Sequence, residues 1–155
     1  MIDFSDLIRP HAVLSSLKAG SKKQVLQALA ERAAGLTGVD EKAILDALVQ
    51  REKLGSTGVG GGIAIPHARV VGLDRIVGMF AHLAHPVDFD ALDDQPVDLV
   101  FLMLAPEAAG ADHLKALARI ARVLRDPLVV ARLRGSFDHT ALYAVLTEGA
   151  KPNAA

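Results

Sequence analysis

A glycine-rich stretch in the middle of the chain constrains its fold more than any other feature. Between Gly55 and Gly62 the sequence reads GSTGVGGG, with five glycines in eight positions. Each glycine costs about 1 kcal/mol relative to alanine inside a helix, so this stretch is not helical. The apolar residues Ile63 to Ile65 follow directly and predict a short buried strand. Pro66 ends that strand because proline has no N–H for the ladder, which places His67 at the strand end.

His67 and the loop before it suggest a site for an anion. The loop supplies backbone N–H groups and the hydroxyls of Ser56 and Thr57, which are groups that bind phosphate. An imidazole beside such a loop suggests a histidine that carries a phosphoryl group. The stretch matches neither common nucleotide-binding motif, because no lysine follows the glycines and the run precedes a strand instead of opening a helix. On spacing alone, an ordinary loop with a structural histidine is the main alternative.

The segment from Arg51 to Ala68, REKLGSTGVGGGIAIPHA, carries a family resemblance. It resembles the active-site signature of the IIA proteins of the bacterial phosphoenolpyruvate-dependent phosphotransferase system (PTS), in the fructose/mannitol family and its nitrogen-type (regulatory) branch. VDFDA at 87–91, QPVDL at 95–99 and the His113-Leu114 pair agree with it, so the resemblance covers nearly the whole chain. The family often has glycine after the histidine, where this chain has Ala68. A β-carbon there argues against a required positive φ.

The resemblance implies a fold and a function. The fold is an α/β three-layer sandwich, with helices on both sides of a small mixed β-sheet. The function is that of a regulatory phosphocarrier that accepts a phosphoryl group on His67, as tele-phosphohistidine, from a phosphorylated HPr-like protein of the NPr type. Regulatory targets would include a potassium transporter or a sensor kinase. No cofactor or metal is expected, because the donor phosphohistidine is already activated.

Other residues are predicted to assist His67. Charge in the loose transition state spreads over the phosphoryl oxygens, so positioning and fixed positive dipoles matter most. The Ser56 and Thr57 hydroxyls and the N–H groups of the loop, Gly58 included, are predicted to bind the phosphate. Arg51 is predicted to clamp it, because a guanidinium fork matches phosphate oxygens. The family carries a second active-site histidine in the stretch that matches His113.

Each assisting residue also has a structural interpretation. Arg51 falls in the last turn of a predicted helix, where a solvated arginine complements the helix dipole. His113 is predicted at the first position of a helix capped by Asp112, where the dipole disfavours imidazolium and the N–H groups favour an anion. A histidine can also stand there without a function.

Three other functions are weighed against the regulatory phosphocarrier. A sugar-specific IIA component would use the same chemistry but would pass the phosphoryl group to a IIB domain. A binding module would signal by contact, with phosphorylation switching its choice of partner. A hydrolase built on His67 and His113 lacks a nucleophile–base pair or a metal set in the sequence.

Composition excludes several classes of function. The 155 residues fit one domain spanning 1–155, long enough to bury a core. Without cysteine there are no disulfides and no thiolate metal site, and the net charge of −1 gives no drive towards nucleic acid or anionic membranes. The apolar run Leu99 to Ala105 is too short to span a bilayer, and the mixed start of the chain does not resemble a leader. A soluble, cytoplasmic protein without membrane insertion is expected.

The pattern along the chain alternates between strand and helix. Ser21 with Gln24 predicts a capping box, and Asp40, Asp112, Asp126 and Asp138 predict further helix starts. Leu114, Leu117, Ala121 and Leu124 are expected on the apolar face of the helix after Asp112. Gly149 to Ala155 reads as a frayed tail. The predicted strands are Ala12 to Leu17, Arg75 to Leu83 and Val97 to Ala105, with an acidic turn from His85 to Pro96.

Some residues resemble metal or partner sites only superficially. His82 and His85 are three positions apart, which points them to opposite faces of a strand and makes a metal site there unexpected. The aspartates between Asp88 and Asp98 lack the mid-loop glycine and terminal glutamate of an EF-hand. A basic stripe on one predicted helix indicates a solvated face or a docking site for an acidic partner: Lys115, Arg119, Arg122 and Arg125.

Overall fold

The computed structural model describes residues 3–148, so the predicted tail at 149–155 lies outside the described residues. Within that range a short 3-10 turn at Pro10–Ala12 precedes the first strand. The strands are β1 (Val13–Leu17), β2 (Gly58–Gly60), β3 (Ile63–Ala64), β4 (His67–Val70), β5 (Val77–Val87) and β6 (Val97–Pro106). The helices are α1 (Lys22–Thr37), α2 (Glu41–Lys53), α3 (Ala111–Val123), α4 (Pro127–Arg134) and α5 (His139–Leu146).

The strands form one mixed sheet in the order β1-β5-β6-β3-β2, and β4 also pairs with β6. β5 and β6 are antiparallel, whereas β1 runs parallel to β5, and both β3 and β4 run parallel to β6. Successive residues along most of β5 and β6 are buried, which is the pattern of strands covered on both faces. The predicted α/β fold, with helices around a mixed sheet, is confirmed.

Helices α1, α2, α4 and α5 begin where their capping residues predict. The Ser21 hydroxyl accepts a hydrogen bond from the N–H of Gln24 at 3.2 Å, and the carboxylates of Asp40, Asp126 and Asp138 cap α2, α4 and α5. The side chain of Gln24 returns to the N–H of Gly20, at 2.6 Å, one residue before the usual partner in a capping box.

The sequence predicts that Pro66 ends a strand. In the structure, Pro66 instead lies in a short break, after which pairing with β6 resumes. β3 pairs with β6 at Ile63 and Ala64, and pairing with β6 resumes in β4 with His67 opposite Met103. At the break, the carbonyl of Pro66 still accepts from the N–H of Met103 at 2.9 Å. His67 is therefore the first residue of β4, whereas the sequence predicted it to lie just beyond the end of a strand. Pairing of β4 with β6 holds the backbone of His67 on one side.

Three other predictions about local structure are wrong. β5 runs on to Val87, because its end still pairs with Val97, so the acidic turn begins later than His85. α3 begins at Ala111 after Gly110, which gives no side-chain cap, and Asp112 lies in the first turn. Leu114 is 63% exposed, so it does not belong to the buried face of α3. The helix starts at Ala111, two residues earlier than predicted, so His113 takes the third position of the helix and not the first.

Leu48 tests the packing between α2 and the sheet. It is 1% exposed within the main core, whereas Leu92 is 84% exposed. Truncation of a buried leucine removes burial energy and leaves a cavity, so Leu48→Ala should lower the free energy of unfolding by about 2–5 kcal/mol. Leu92→Ala is the matched control and should change it by no more than about 0.5 kcal/mol in urea denaturation. Equal effects of the two substitutions would contradict this packing.

Candidate functional site

The backbone fixes the tautomer of His67. The ring Nδ1 lies 2.9 Å from the carbonyl oxygen of Ile65, on the other side of the Pro66 break. A carbonyl oxygen can only accept, so Nδ1 carries the hydrogen and Nε2 keeps its lone pair. His67 is only half-buried, and its Nε2 is therefore the nitrogen available for chemistry.

Arg51 lies beside that lone pair. It occupies the last turn of α2, as predicted, and its Nε donates to Nε2 of His67 at 3.2 Å. Its Nη1 donates to the carbonyl of Gly55 at 2.9 Å, which ties the guanidinium to the second residue after the helix. Arg51 is thus held beside Nε2 of His67 by a contact at each end of its guanidinium group.

His113 is the third member of the group. Its ring centroid lies 5.8 Å from that of His67, with the planes tilted by 60°. The side chain is 7% exposed, and its buried Nδ1 has no hydrogen-bond partner among residues 3–148. Burial, and then the neighbouring His67 and Arg69, lower the pKa of His113, which favours a neutral imidazole at neutral pH. The sequence prediction that Arg51, His67 and His113 belong together agrees with this geometry.

These three side chains open into a shallow depression of about 540 Å³ on the surface. Arg69 and Leu54 also line it, and Leu54 is 84% exposed. Sequence reasoning missed Arg69. The sequence prediction ended the strand at Pro66, so the shared face of His67 and Arg69 became visible only with β4.

The ionisation of His67 reflects its surroundings. Burial lowers its pKa most, the hydrogen bond to the carbonyl of Ile65 raises it, the charge of Arg51 lowers it and that of Glu52 raises it. Together these influences place the pKa of His67 below its ordinary value of 6.5. The residue is therefore neutral, and able to act as a nucleophile, at neutral pH.

Glu52 organises the loop that follows Arg51, and the sequence analysis did not single it out. Its side chain is 7% exposed, pairs with Lys22 at 3.1 Å and accepts hydrogen bonds from both the N–H and the hydroxyl of Thr57. Lys22 continues to Asp90 at 3.3 Å. A buried carboxylate needs such partners, and here they join α1, α2, the glycine-rich loop and the segment after β5.

The loop residues predicted to bind phosphate already have partners within the protein. The Ser56 hydroxyl donates to the carbonyl of Phe89 and accepts from the N–H of Gly58, and Thr57 bonds to Glu52. A β-carbon on Gly58 would lie 2.8 Å from that of Ala91, so this glycine permits close packing. Ser56, Thr57 and Gly58 are not among the residues that line the depression beside His67. Phosphate binding by Ser56, Thr57 and Gly58 stays a prediction, which requires these bonds to be exchanged.

The remaining candidates have structural roles. Buried His82 donates from Nδ1 to the carbonyl of Ser136 at 2.6 Å and stacks on Phe137 with centroids 3.9 Å apart. Arg119 pairs with Asp6 at 2.8 Å, so it is not a free member of the basic stripe. Residues 3–148 contain no cluster of three or more side chains suited to a metal ion. Over the same range, no helix has the length and apolar character needed to cross a bilayer.

Comparison with known proteins identifies the family. The family model described as "Phosphoenolpyruvate-dependent sugar phosphotransferase system, EIIA 2" matches residues 6–149. The chain belongs to this family. A "Nitrogen regulatory protein" of Bradyrhizobium diazoefficiens is 59% identical over 142 residues, which covers 92% of this chain and 93% of the relative. A "PTS system fructose-specific EIIA component" of Haloferax volcanii is 38% identical, covering 83% and 84%.

The structural comparison agrees with the sequence comparison. The crystal structure of "Nitrogen Regulatory Protein IIA-Ntr" from Neisseria meningitidis superposes with a TM-score of 0.86 and 32% identity, covering 92% of this chain and 97% of that one. The predicted membership in the EIIA type 2 family, and the similarity to its nitrogen regulatory members, are confirmed.

The lowered pKa of His67 can be measured directly. In an NMR pH titration of the folded protein, the imidazole should protonate with a midpoint below 6.5, whereas the chain unfolded in urea should titrate near the ordinary value. As the pH falls through 6.5 the unfolded state binds its proton first, so this residue makes folding less favourable until the folded-state pKa is reached. A folded-state midpoint above that of the unfolded chain would contradict a pKa lowered by burial.

Proposed function

We propose that this EIIA protein is a regulatory phosphocarrier that accepts a phosphoryl group on Nε2 of His67 from a phosphorylated HPr-like protein. One observation carries the proposal: the bond from Nδ1 of His67 to the carbonyl of Ile65 leaves the Nε2 lone pair beside Arg51, at an open depression. A phosphorylated Nε2 is the tele-phosphohistidine expected from the sequence.

The proposed transfer exchanges one N–P bond for another and needs no cofactor. The lone pair on Nε2 of His67 attacks phosphorus in line and forms a new N–P bond, while the N–P bond of the donor phosphohistidine breaks and leaves its electron pair on the donor imidazole. Nδ1 of His67 keeps its hydrogen, so this side of the reaction needs no proton transfer. The proposed mechanism uses no metal or cofactor, because the donor bond is already activated.

Arg51 and His113 serve the transition state in this proposal. The Nε–H of Arg51 now donates to Nε2, the atom that must become bonded to phosphorus, so the guanidinium moves from the nitrogen to the phosphoryl oxygens as transfer proceeds. His113, neutral and buried beside His67, can offer a ring N–H to the same oxygens from the first turn of α3.

The surface around the site suits a protein donor. Leu54 lines the depression and is 84% exposed, and Leu114, next in sequence to His113, is 63% exposed. Exposed leucines beside an open, shallow site are typical of contact with another protein. We therefore propose docking of an HPr-like carrier of the NPr type over Leu54 and Leu114, in the cytoplasm.

Regulation is favoured over sugar transport by the strength of the resemblances. The Bradyrhizobium relative named nitrogen regulatory is 59% identical, against 38% for the fructose-specific component. Phosphorylation adds a charge of about −2 at His67, which can repel an acidic partner or recruit an arginine-bearing one. The proposed targets are regulatory proteins, such as a potassium transporter or a sensor kinase. Transfer to a sugar-specific IIB domain is the alternative.

His67→Ala should abolish phosphoryl acceptance and leave the fold intact, because the half-buried ring contributes little packing. The protein is incubated with phosphoenolpyruvate, enzyme I and an HPr-like carrier, and its intact mass is measured. The wild type should gain one acid-labile, base-stable phosphate. His85→Ala, which removes an exposed histidine of the β5 strand, is the control and should still be phosphorylated. An added phosphate on His67→Ala, or an acid-stable adduct on the wild type, would overturn the assignment.

A regulatory phosphocarrier and a sugar-transport component would bind different partner proteins. A pull-down from cell extract should recover different regulatory proteins with His67→Ala and with the phosphomimic His67→Glu, because the added charge changes the surface around the depression. Mass spectrometry of the bound proteins gives the readout. Recovery of a sugar-specific IIB domain alone, with rapid onward transfer of the phosphoryl group from His67, would decide for transport.

A further inference from the structure

We propose that Arg69 is a second cationic residue that binds the phosphoryl oxygens on His67, together with Arg51. This inference rests on the proposed function, since it concerns the group that His67 would carry. It adds a residue that the sequence analysis did not consider and that lies on a different element from Arg51.

The pleat of β4 places Arg69 on the same face as His67. Ala68 and Val70 are buried, whereas His67 is half-buried and Arg69 is exposed. Residues two apart in a strand are separated by about 6.6 Å along it, a distance that an arginine side chain can span. Both side chains line the same depression, so the guanidinium has an open path to a group on Nε2 of His67.

Among residues 3–148, no carboxylate forms an ion pair with Arg69. Arg119, Arg132 and Arg134 each form an ion pair with a carboxylate at 2.6–2.8 Å. Arg69 has no hydrogen-bond acceptor or carboxylate partner among residues 3–148. It is nevertheless close enough to His113 to help lower the pKa of that residue. A free guanidinium at the edge of the site is available for an incoming dianion.

Arg51 leaves room for a second cation. Two of its donor groups already bond to His67 and to the carbonyl of Gly55, so its orientation is fixed on the α2 side of the depression. A phosphoryl group has three oxygens and carries a charge of about −2. Arg69 reaches it from β4, beside His113, so that two guanidinium groups on different elements can contact different oxygens.

The test compares a small phosphoryl donor with the protein donor. Wild type, Arg69→Gln, Arg69→Lys and the control Arg122→Gln are phosphorylated by phosphoramidate and, separately, by the HPr-like relay. Arg122 is also exposed and basic, but it lies nine residues after His113, about 13 Å along α3. Thermal unfolding checks that all four proteins are folded.

Direct contact with the phosphoryl group predicts a defect with both donors. Arg69→Gln should slow phosphorylation by about tenfold or more with each of them, Arg69→Lys should recover part of the rate, and Arg122→Gln should match the wild type. In 31P NMR of the phosphorylated proteins, the last ionisation of the phosphoryl group should move to higher pH in Arg69→Gln alone, because a nearby cation favours the dianion.

Two results would overturn the proposal in different ways. If Arg69→Gln reacts normally with phosphoramidate, keeps the wild-type 31P midpoint and only raises the KM for the protein donor, Arg69 is a docking residue and the phosphoryl contact is wrong. If the wild type gains no phosphoryl group on His67 from either donor, the proposed function itself fails, and the role of Arg69 fails with it.

Discussion

The hydrogen bond between Nδ1 of His67 and the carbonyl of Ile65 determines how the rest of the site works. The carbonyl lies in the two-residue break between β3 and β4, on the side away from β6, because the carbonyl of Pro66 is the one that accepts from Met103. The bond selects one tautomer and sets the plane of the ring. The orientation of Nε2, the position of Arg51 and the distance between the rings of His67 and His113 are all defined relative to that ring.

A second constraint is the buried carboxylate of Glu52, which stabilises the connection between α2 and the glycine-rich loop. Arg51 and Glu52 are adjacent, yet one faces His67 and the other faces Thr57 and Lys22. The end of the helix therefore contacts both His67 and the loop. Gly61 is held in a similar way, by Asp93 at its N–H and by Arg134 at its carbonyl. These contacts occupy many of the donors that the glycine-rich sequence offers, so the loop shapes the site more through packing than as an open anion cradle.

Local chemistry made much of this structure predictable, and distance along the chain limited the rest. Asp126 and Asp138 mark their helices because a cap depends on neighbours only two or three residues away. Resumption of the strand at His67 depends on β6, some 36 residues later, and no local rule contains that pairing. Arg51 and His113 were found through a family signature. Glu52 and Arg69 were missed because their importance depends on which partners they have, or lack, in three dimensions.

The contact between Arg51 and the lone pair of His67 has a consequence for the resting protein. A neutral, partly exposed imidazole is ordinarily a good ligand for zinc, nickel and copper ions. Here a permanently charged guanidinium covers the coordinating nitrogen and repels cations from it, while the other nitrogen is bonded to the backbone. An anionic phosphoryl group is attracted by the same charge that excludes a metal. The contact therefore disfavours a metal ion at Nε2 of His67 and favours an anion beside it.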